Sequence, residues 1–292
     1  MKKIIYILIL AGLFASCGNQ NNKADAYGNF EATEVVISAM AQGEILSLKI
    51  EEGDILEEGA VVGLIDTTDL YLKKRQLLKS IAAVKTRLVS IQAQIDVQEQ
   101  QKANLMVDKN RIDKLYKDGA ATQKQVDDIH GAIDLLNARI TATLSQKQQV
   151  MAETETLEIQ IEQVEEALLK CFIRNPSPGT VLTKYAEAGE VAAPGKPLYK
   201  LADLSTMKLK VYVSGDQLPH VRIGQEVEVQ FDKTKTENTS VTGKVSWISS
   251  TAEFTPKTIQ TKEERVNLVY AVKVLVENDG SLKIGMPGEV YF

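Results

Sequence analysis

The chain has 292 residues, a formal charge of −5, 44% apolar and only 5% aromatic residues, and two cysteines. The mild acidity argues against a nucleic-acid partner; two cysteines, with His130 and His220 far apart, argue against a disulfide framework or a metal-ligand set. So few aromatic side chains in a chain rich in Gln, Leu and Ile point to long helices rather than a compact enzyme core.

Lys2-Lys3 followed by the apolar run Ile4 to Phe14 reads as an export signal. The run is too short to span a bilayer as a helix, which takes about 20 residues. The next four residues, Phe14-Ala15-Ser16-Cys17, look like the lipobox at which bacterial lipoproteins are cleaved and acylated, with Phe14 where leucine is usual. The competing reading is an ordinary secretory signal with an incidental cysteine. Residues 1–17 are therefore expected to be a lipoprotein signal ending in a lipidated Cys17, and 18–33 a polar tether with a membrane-proximal strand.

An internal repeat follows. Gly43-Glu44-Ile45-Leu46 falls on Gly179-Thr180-Val181-Leu182, Gly53-Asp54-Ile55 on Gly189-Glu190-Val191, and Gly59 on Gly195, at a constant offset of 136. Each copy reads as short strands parted by glycine turns. Neither copy can bury a hydrophobic face alone, so residues 34–66 and 171–203 are expected to pack as one split domain. Cys171 is expected to open a strand after the insertion as a buried, small apolar residue.

Between the copies, residues 67–170 lack proline and carry glycine only at Gly119 and Gly131. Leu77, Ile81, Val84, Leu88, Ile91 and Ile95 alternate steps of three and four, and Val126 to Ile161 repeat the rhythm, which is coiled-coil spacing. Folding back about Gly119 pairs positions that sum to 238: Leu77 with Ile161, Ile81 with Leu157, Leu88 with Val150, Ile112 with Val126. Polar layers at Gln98, Lys102 and Lys147 fall in line, where lysine stems pack and ammonium groups reach water. At 1.5 Å per residue an arm of about 50 residues reaches roughly 75 Å.

From residue 204 onward, alternation returns: Met207, Leu209, Val211, Val213, then Val227, Val229, Phe231, then Leu268 to Val276, with turns at Gly215, Asp279-Gly280 and Gly285. A small β-barrel over 204–292 is expected. The fold class is thus α+β: a split lipoyl-like β-domain, an inserted antiparallel coiled-coil α-hairpin, and a following β-barrel.

These pieces together resemble the hemolysin-D-like membrane fusion, or periplasmic adaptor, family over about Tyr27 to Phe292. Leu204-Ser205-Thr206-Met207 resembles the family's barrel entry, and Leu282 with Gly285-Met286 its closing strand. Ala252-Glu253-Phe254-Thr255-Pro256-Lys257-Thr258 with Thr261-Lys262-Glu263-Glu264-Arg265 is similar to adaptors of ABC-type exporters. At the hairpin turn the family carries an arginine, a leucine four residues on and a serine seven beyond; here these are Arg111, Leu115 and Thr122. The resemblance implies a non-enzymatic adaptor without cofactor, anchored by lipid in a Gram-negative periplasm. It also implies a homo-oligomeric ring, usually a hexamer, joining an inner-membrane transporter to an outer-membrane TolC-type channel that the tip engages.

Other classes are disfavoured by particular residues. A lipoate or biotin carrier needs a lysine on a tight hairpin joining the halves, whereas here the chain after Asp66 enters the helical insertion. No nucleophile elbow or phosphate loop is present. Met40, Met106, Met151, Met207 and Met286 are scattered and read as packing rather than metal capture. A non-conducting envelope scaffold is the alternative function.

Overall fold

A computed structural model describes residues 23–232, 238–254 and 268–292. Cys17 with its lipobox, and motif residues 255–258 and 261–265, lie outside this set. The chain begins with strands β1 (Ala26–Glu31) and β2 (Glu34–Ser38), then β3 (Gly43–Leu48), β4 (Ile55–Leu56) and β5 (Val61–Ile65). Helices α1 (Thr68–Lys117) and α2 (Gln123–Cys171) follow, then β6 (Phe172–Arg174), β7 (Gly179–Lys184), β8 (Val191–Ala192) and β9 (Pro197–Ala202). The last strands are β10 (Thr206–Ser214), β11 (Glu226–Asp232), β12 (Asn238–Ile248), β13 (Glu253–Phe254), β14 (Leu268–Glu277) and β15 (Pro287–Tyr291). The fold is α+β, and it divides into two compact units: Val36–Ser177 with Thr183–Tyr199, and the remainder.

The repeat is structural. β7, β8 and β9 begin 136 residues after β3, β4 and β5 respectively. Its turns also match: Gly53 and Gly189 have φ of 98° and 90°, and Gly59 and Gly195 have 78° and 90°, a left-handed backbone that only glycine takes without strain. The two sheets run β2-β9-β7-β4 and β6-β5-β3-β8, so each copy lends its two-residue strand to the other. Gly43 and Glu44 pair with Ala192 and Val191. A two-residue strand has too few backbone partners to hold alone, and the exchange supplies them. A buried polar node closes this unit: Asn175 donates to the carbonyls of Glu57 and Ser177, and the Tyr199 hydroxyl donates to its Oδ1 at 3.1 Å. Burial pushes the Tyr199 phenol up to about 12.

The helices pair antiparallel. Leu77, Ile81 and Ile161 share one apolar cluster with Leu157; Val84, Ile91, Ile95 and Val150 share the next with Leu88. These groupings agree with partners that sum to 238. Lys74–Glu165 (2.7 Å) and Arg87–Glu153 (3.0 Å) flank the seam, and Lys147 Nζ donates to Gln92 Oε1 at 2.7 Å. The hydrophobic reading passed over two seam residues, Thr143 and Thr154, both buried. Each spends its hydroxyl on its own helix, donating to the carbonyls of Arg139 and Val150, and then packs like valine against the facing helix.

Toward the turn the seam loosens. The buried residues of α1 end at Ile95, and beyond it Gln98 Oε1 is buried with no hydrogen-bond partner. An orphaned amide oxygen of that kind costs about 1–3 kcal/mol. Cys171, expected to open a strand, instead ends α2; it is fully buried, and burial pushes its thiol up. Met207 is buried, but Met40 and Met151 are exposed, against the expectation that all the methionines pack. Met151 misses the seam because the neighbouring Val150 fills it.

In the second unit, strands β10-β1-β15-β11-β12-β14 close on themselves through β14–β10 pairing, with β13 added at β14. The barrel therefore begins earlier than residue 204: β1, assigned from sequence to the tether region, is a stave between β10 and β15. Phe30 faces Leu209, and Tyr27 faces both Tyr212 and Glu289. Without β1, two strand edges would present unpaired backbone groups. Phe30 also anchors the interior, meeting Phe231 edge-on at 6.1 Å between ring centres.

Candidate functional site: the hairpin tip

The last turn of α1 closes through two backbone bonds, Ala120 N to Leu115 O (2.8 Å) and Gly119 N to Tyr116 O (3.0 Å), with Gly119 at φ 72°. This arrangement satisfies the helix-end carbonyls and requires a left-handed residue, here glycine. Thr122 then caps α2: its hydroxyl accepts from Gln125 N, and its own N–H donates to Gln125 Oε1 at 2.8 Å. The tip is thus a rigid reversal built by Gly119 on one side and a reciprocal cap on the other.

The three residues singled out from sequence play unequal parts. Arg111 and Leu115, four positions apart, lie on one face of α1. The Arg111 side chain is 69% exposed and only loosely paired with Asp108 at 3.4 Å. Leu115 is 42% exposed, so it does not close a buried seam layer. Thr122 stands apart: among the described residues no hydrogen bond or ion pair ties it to the other two, and its hydroxyl is engaged in the cap. Serine would cap equally well, which accounts for either hydroxyl residue fitting there.

Sequence reading missed Tyr116, 44% exposed beside Leu115. The signal was an aromatic in the last turn with no seam position to fill. Behind this surface, Lys109 holds Asp113 at 2.7 Å, and His130 reaches the same carboxylate at 3.9 Å. The Lys109 hydrogen bond keeps the Asp113 carboxyl below its ordinary range. The tip thus presents one loosely held guanidinium and two exposed neighbours, Leu115 and Tyr116. Among the described residues no group of three side chains could hold a metal ion, and no helix is long and apolar enough to cross a membrane.

A split, strand-exchanged pair of β-halves, a 50-residue helical arm returning on itself and a closed barrel make up the described architecture. The comparisons with known proteins agree. Residues 203–291 match the family described as LcnD-like, C-terminal domain. The UPF0194 membrane protein YE2891 of Yersinia enterocolitica is 26% identical, spanning all of this chain and 98% of its own. UPF0194 membrane protein YbhG of Salmonella arizonae is 27% identical over 99% of this chain and 94% of its own. Among solved structures, MacA of Actinobacillus actinomycetemcomitans superposes with a TM-score of 0.53 at 22% identity, covering 91% of this chain and 76% of MacA. Membrane fusion protein Spr0693 of Streptococcus pneumoniae R6 gives 0.56 at 15% identity, covering 91% and 96%. The likeness to MacA and Spr0693 is one of fold.

Proposed function

We propose that the chain is a lipid-anchored periplasmic adaptor of a Gram-negative envelope, linking an inner-membrane ABC-type transporter to an outer-membrane TolC-type duct. The observation that carries this reading is the hairpin: two helices of 50 and 49 residues, roughly 75 Å long, ending in an exposed Arg111–Leu115 surface. A protein with no other use for such reach would gain nothing from ordering it. Cys17 supplies the membrane attachment, and copies assemble as a ring, expected to be a hexamer, around the exported cargo. The sequence motif from Ala252 supports the ABC-type assignment.

A photo-crosslinking residue placed at Leu115 in cells is expected to capture an outer-membrane channel protein. Capture of inner-membrane proteins alone, or of none, would exclude the bridge and favour a scaffold. For the anchor, a palmitate analogue is expected to label the wild type and to leave Cys17→Ala unlabelled; equal labelling of both removes the lipid from Cys17.

A further inference from the structure

The outer surface of the barrel is divided by charge. Strand register sets the outward residues of β10, β14 and β12 in two rows, Lys208–Leu275–Lys244 and Lys210–Lys273–Trp247. On β11 and β15 the outward positions include Glu226, Glu228, Gln230, Asp232, Glu289 and Tyr291. Four lysines thus cluster on one side of a chain whose net charge is −5. Carboxylates appear at the margins of the cluster: Glu31 pairs in register with Lys208, Glu226 with Lys244, and Glu253 lies 3.7 Å from Lys210.

Two features of this face work against folding alone. Lys210 and Lys273 stand directly opposite in a cross-strand pair, where like charges destabilise. Trp247, the single tryptophan of the chain, is turned outward by a bulge between Val245 and Trp247 and is 41% exposed. Each of the two lysines rests over an aromatic ring, Lys210 at 5.3 Å from Tyr212 and Lys273 at 5.2 Å from Trp247. The rings hold the ammonium groups side by side and outward.

We propose that the β10–β14–β12 face of the barrel lies on an anionic phospholipid surface. Lysines act as point charges for dispersed phosphates, whereas a carboxylate-bearing protein partner calls for arginine forks, and this grid has none. Tryptophan, with an apolar body and a polar N–H, suits the headgroup boundary. Chain length agrees: residues 18–25 between Cys17 and β1 span at most about 30 Å, which keeps the barrel near a membrane. That last point rests on the lipoprotein reading, so the test omits the acyl chain.

The chain beginning at Gly18, which retains every described residue, is mixed with phosphatidylglycerol-containing or pure phosphatidylcholine vesicles. Trp247 emission reports from within the face. The expected result is a blue shift and co-sedimentation with anionic vesicles only, lost at 0.5 M salt. Lys210→Glu with Lys273→Glu should weaken binding at least tenfold, and Lys210→Gln with Lys273→Gln, which removes the like-charge pair without creating another, should also weaken it with a melting temperature close to wild type. Glu228→Lys, on the neighbouring strand β11 and outside the face, should not weaken it. Equal binding to both vesicle types, no shift with either, or indifference to the double reversal overturns the proposal. So does capture of a soluble acidic protein with no vesicle binding, which would assign the face to a protein. None of these outcomes depends on the duct, which Leu115 crosslinking tests separately.

Discussion

Arg111→Asp is expected to abolish export while the protein folds, accumulates and reaches the membrane normally. The pair it breaks, Arg111–Asp108 at 3.4 Å, is exposed, and such pairs contribute between nothing and about 1 kcal/mol. The melting curve of the purified variant should therefore stay close to wild type, with a change under about 0.5 kcal/mol. Docking is a different matter. An arginine at the centre of a small contact commonly carries about 2 kcal/mol or more, roughly thirtyfold in affinity, and reversing its charge adds repulsion. Drug susceptibility or secretion in cells carrying the variant should match cells lacking the protein. Leu115→Ser should weaken export too, with little loss of stability, because Leu115 is already exposed. Wild-type export by Arg111→Asp at normal protein level would take the docking role away from this residue.

The largest expected stability loss lies in the barrel, at Gly28. A Cβ there would sit 1.8 Å from the Lys210 carbonyl oxygen and 2.8 Å from Val211 Cα. Both are backbone atoms, so no rotamer change relieves the clash, and β1 must part from β10 along the register Tyr27–Tyr212 to Glu31–Lys208. Gly28→Ala should cost about 3 kcal/mol or more, lowering the melting temperature by 10 °C or more. Gly131→Ala makes the contrast. It lies in α2 with nothing within 4 Å of the added methyl, so the helix should gain about 0.5–1 kcal/mol. Thermal melts followed through Trp247 fluorescence for the barrel and circular dichroism for the helices separate the two. A Gly28→Ala protein that melts with wild type would mean β1 is not the stave between β10 and β15.

The hairpin and the repeat were legible because both follow from periodicity. Apolar steps of three and four determine a seam, and glycines at positive φ mark turns that recur at offset 136. Thr143 and Thr154 were invisible because a hydropathy pattern counts their hydroxyls as polar, whereas the helix itself satisfies them. The exchange of β4 and β8 between the copies was also out of reach, since two-residue strands have no period to read. β1 was expected as a strand, but its place in the barrel was out of reach for a related reason. Tyr27, Gly28 and Asn29 precede the only buried aromatic of the strand, and nothing local says that the partner edge lies some 180 residues onward. At the tip, the family resemblance singled out Arg111 and Leu115, but the cap at Thr122 depends on where α2 starts, which only the turn geometry reveals.

The near-equal lengths of α1 and α2 have a consequence for how the chain tolerates change. β5 and β6 are neighbours, with Leu64 opposite Phe172, although the two helices lie between them. The arms work as a splint: one carries the chain out and the other returns it to the point of departure, so the halves of the base meet without the search that a flexible loop of that length would impose. Insertions and deletions must therefore come in matched pairs. Removing one heptad from each arm, at positions that sum to 238, would shorten the reach by about 10 Å and leave β5 beside β6. Removing it from one arm alone would carry Phe172 away from Leu64 and pull the repeat apart. The reach of the hairpin can then be adjusted in steps of a heptad, by edits made in step on both arms, while the repeat stays as it is.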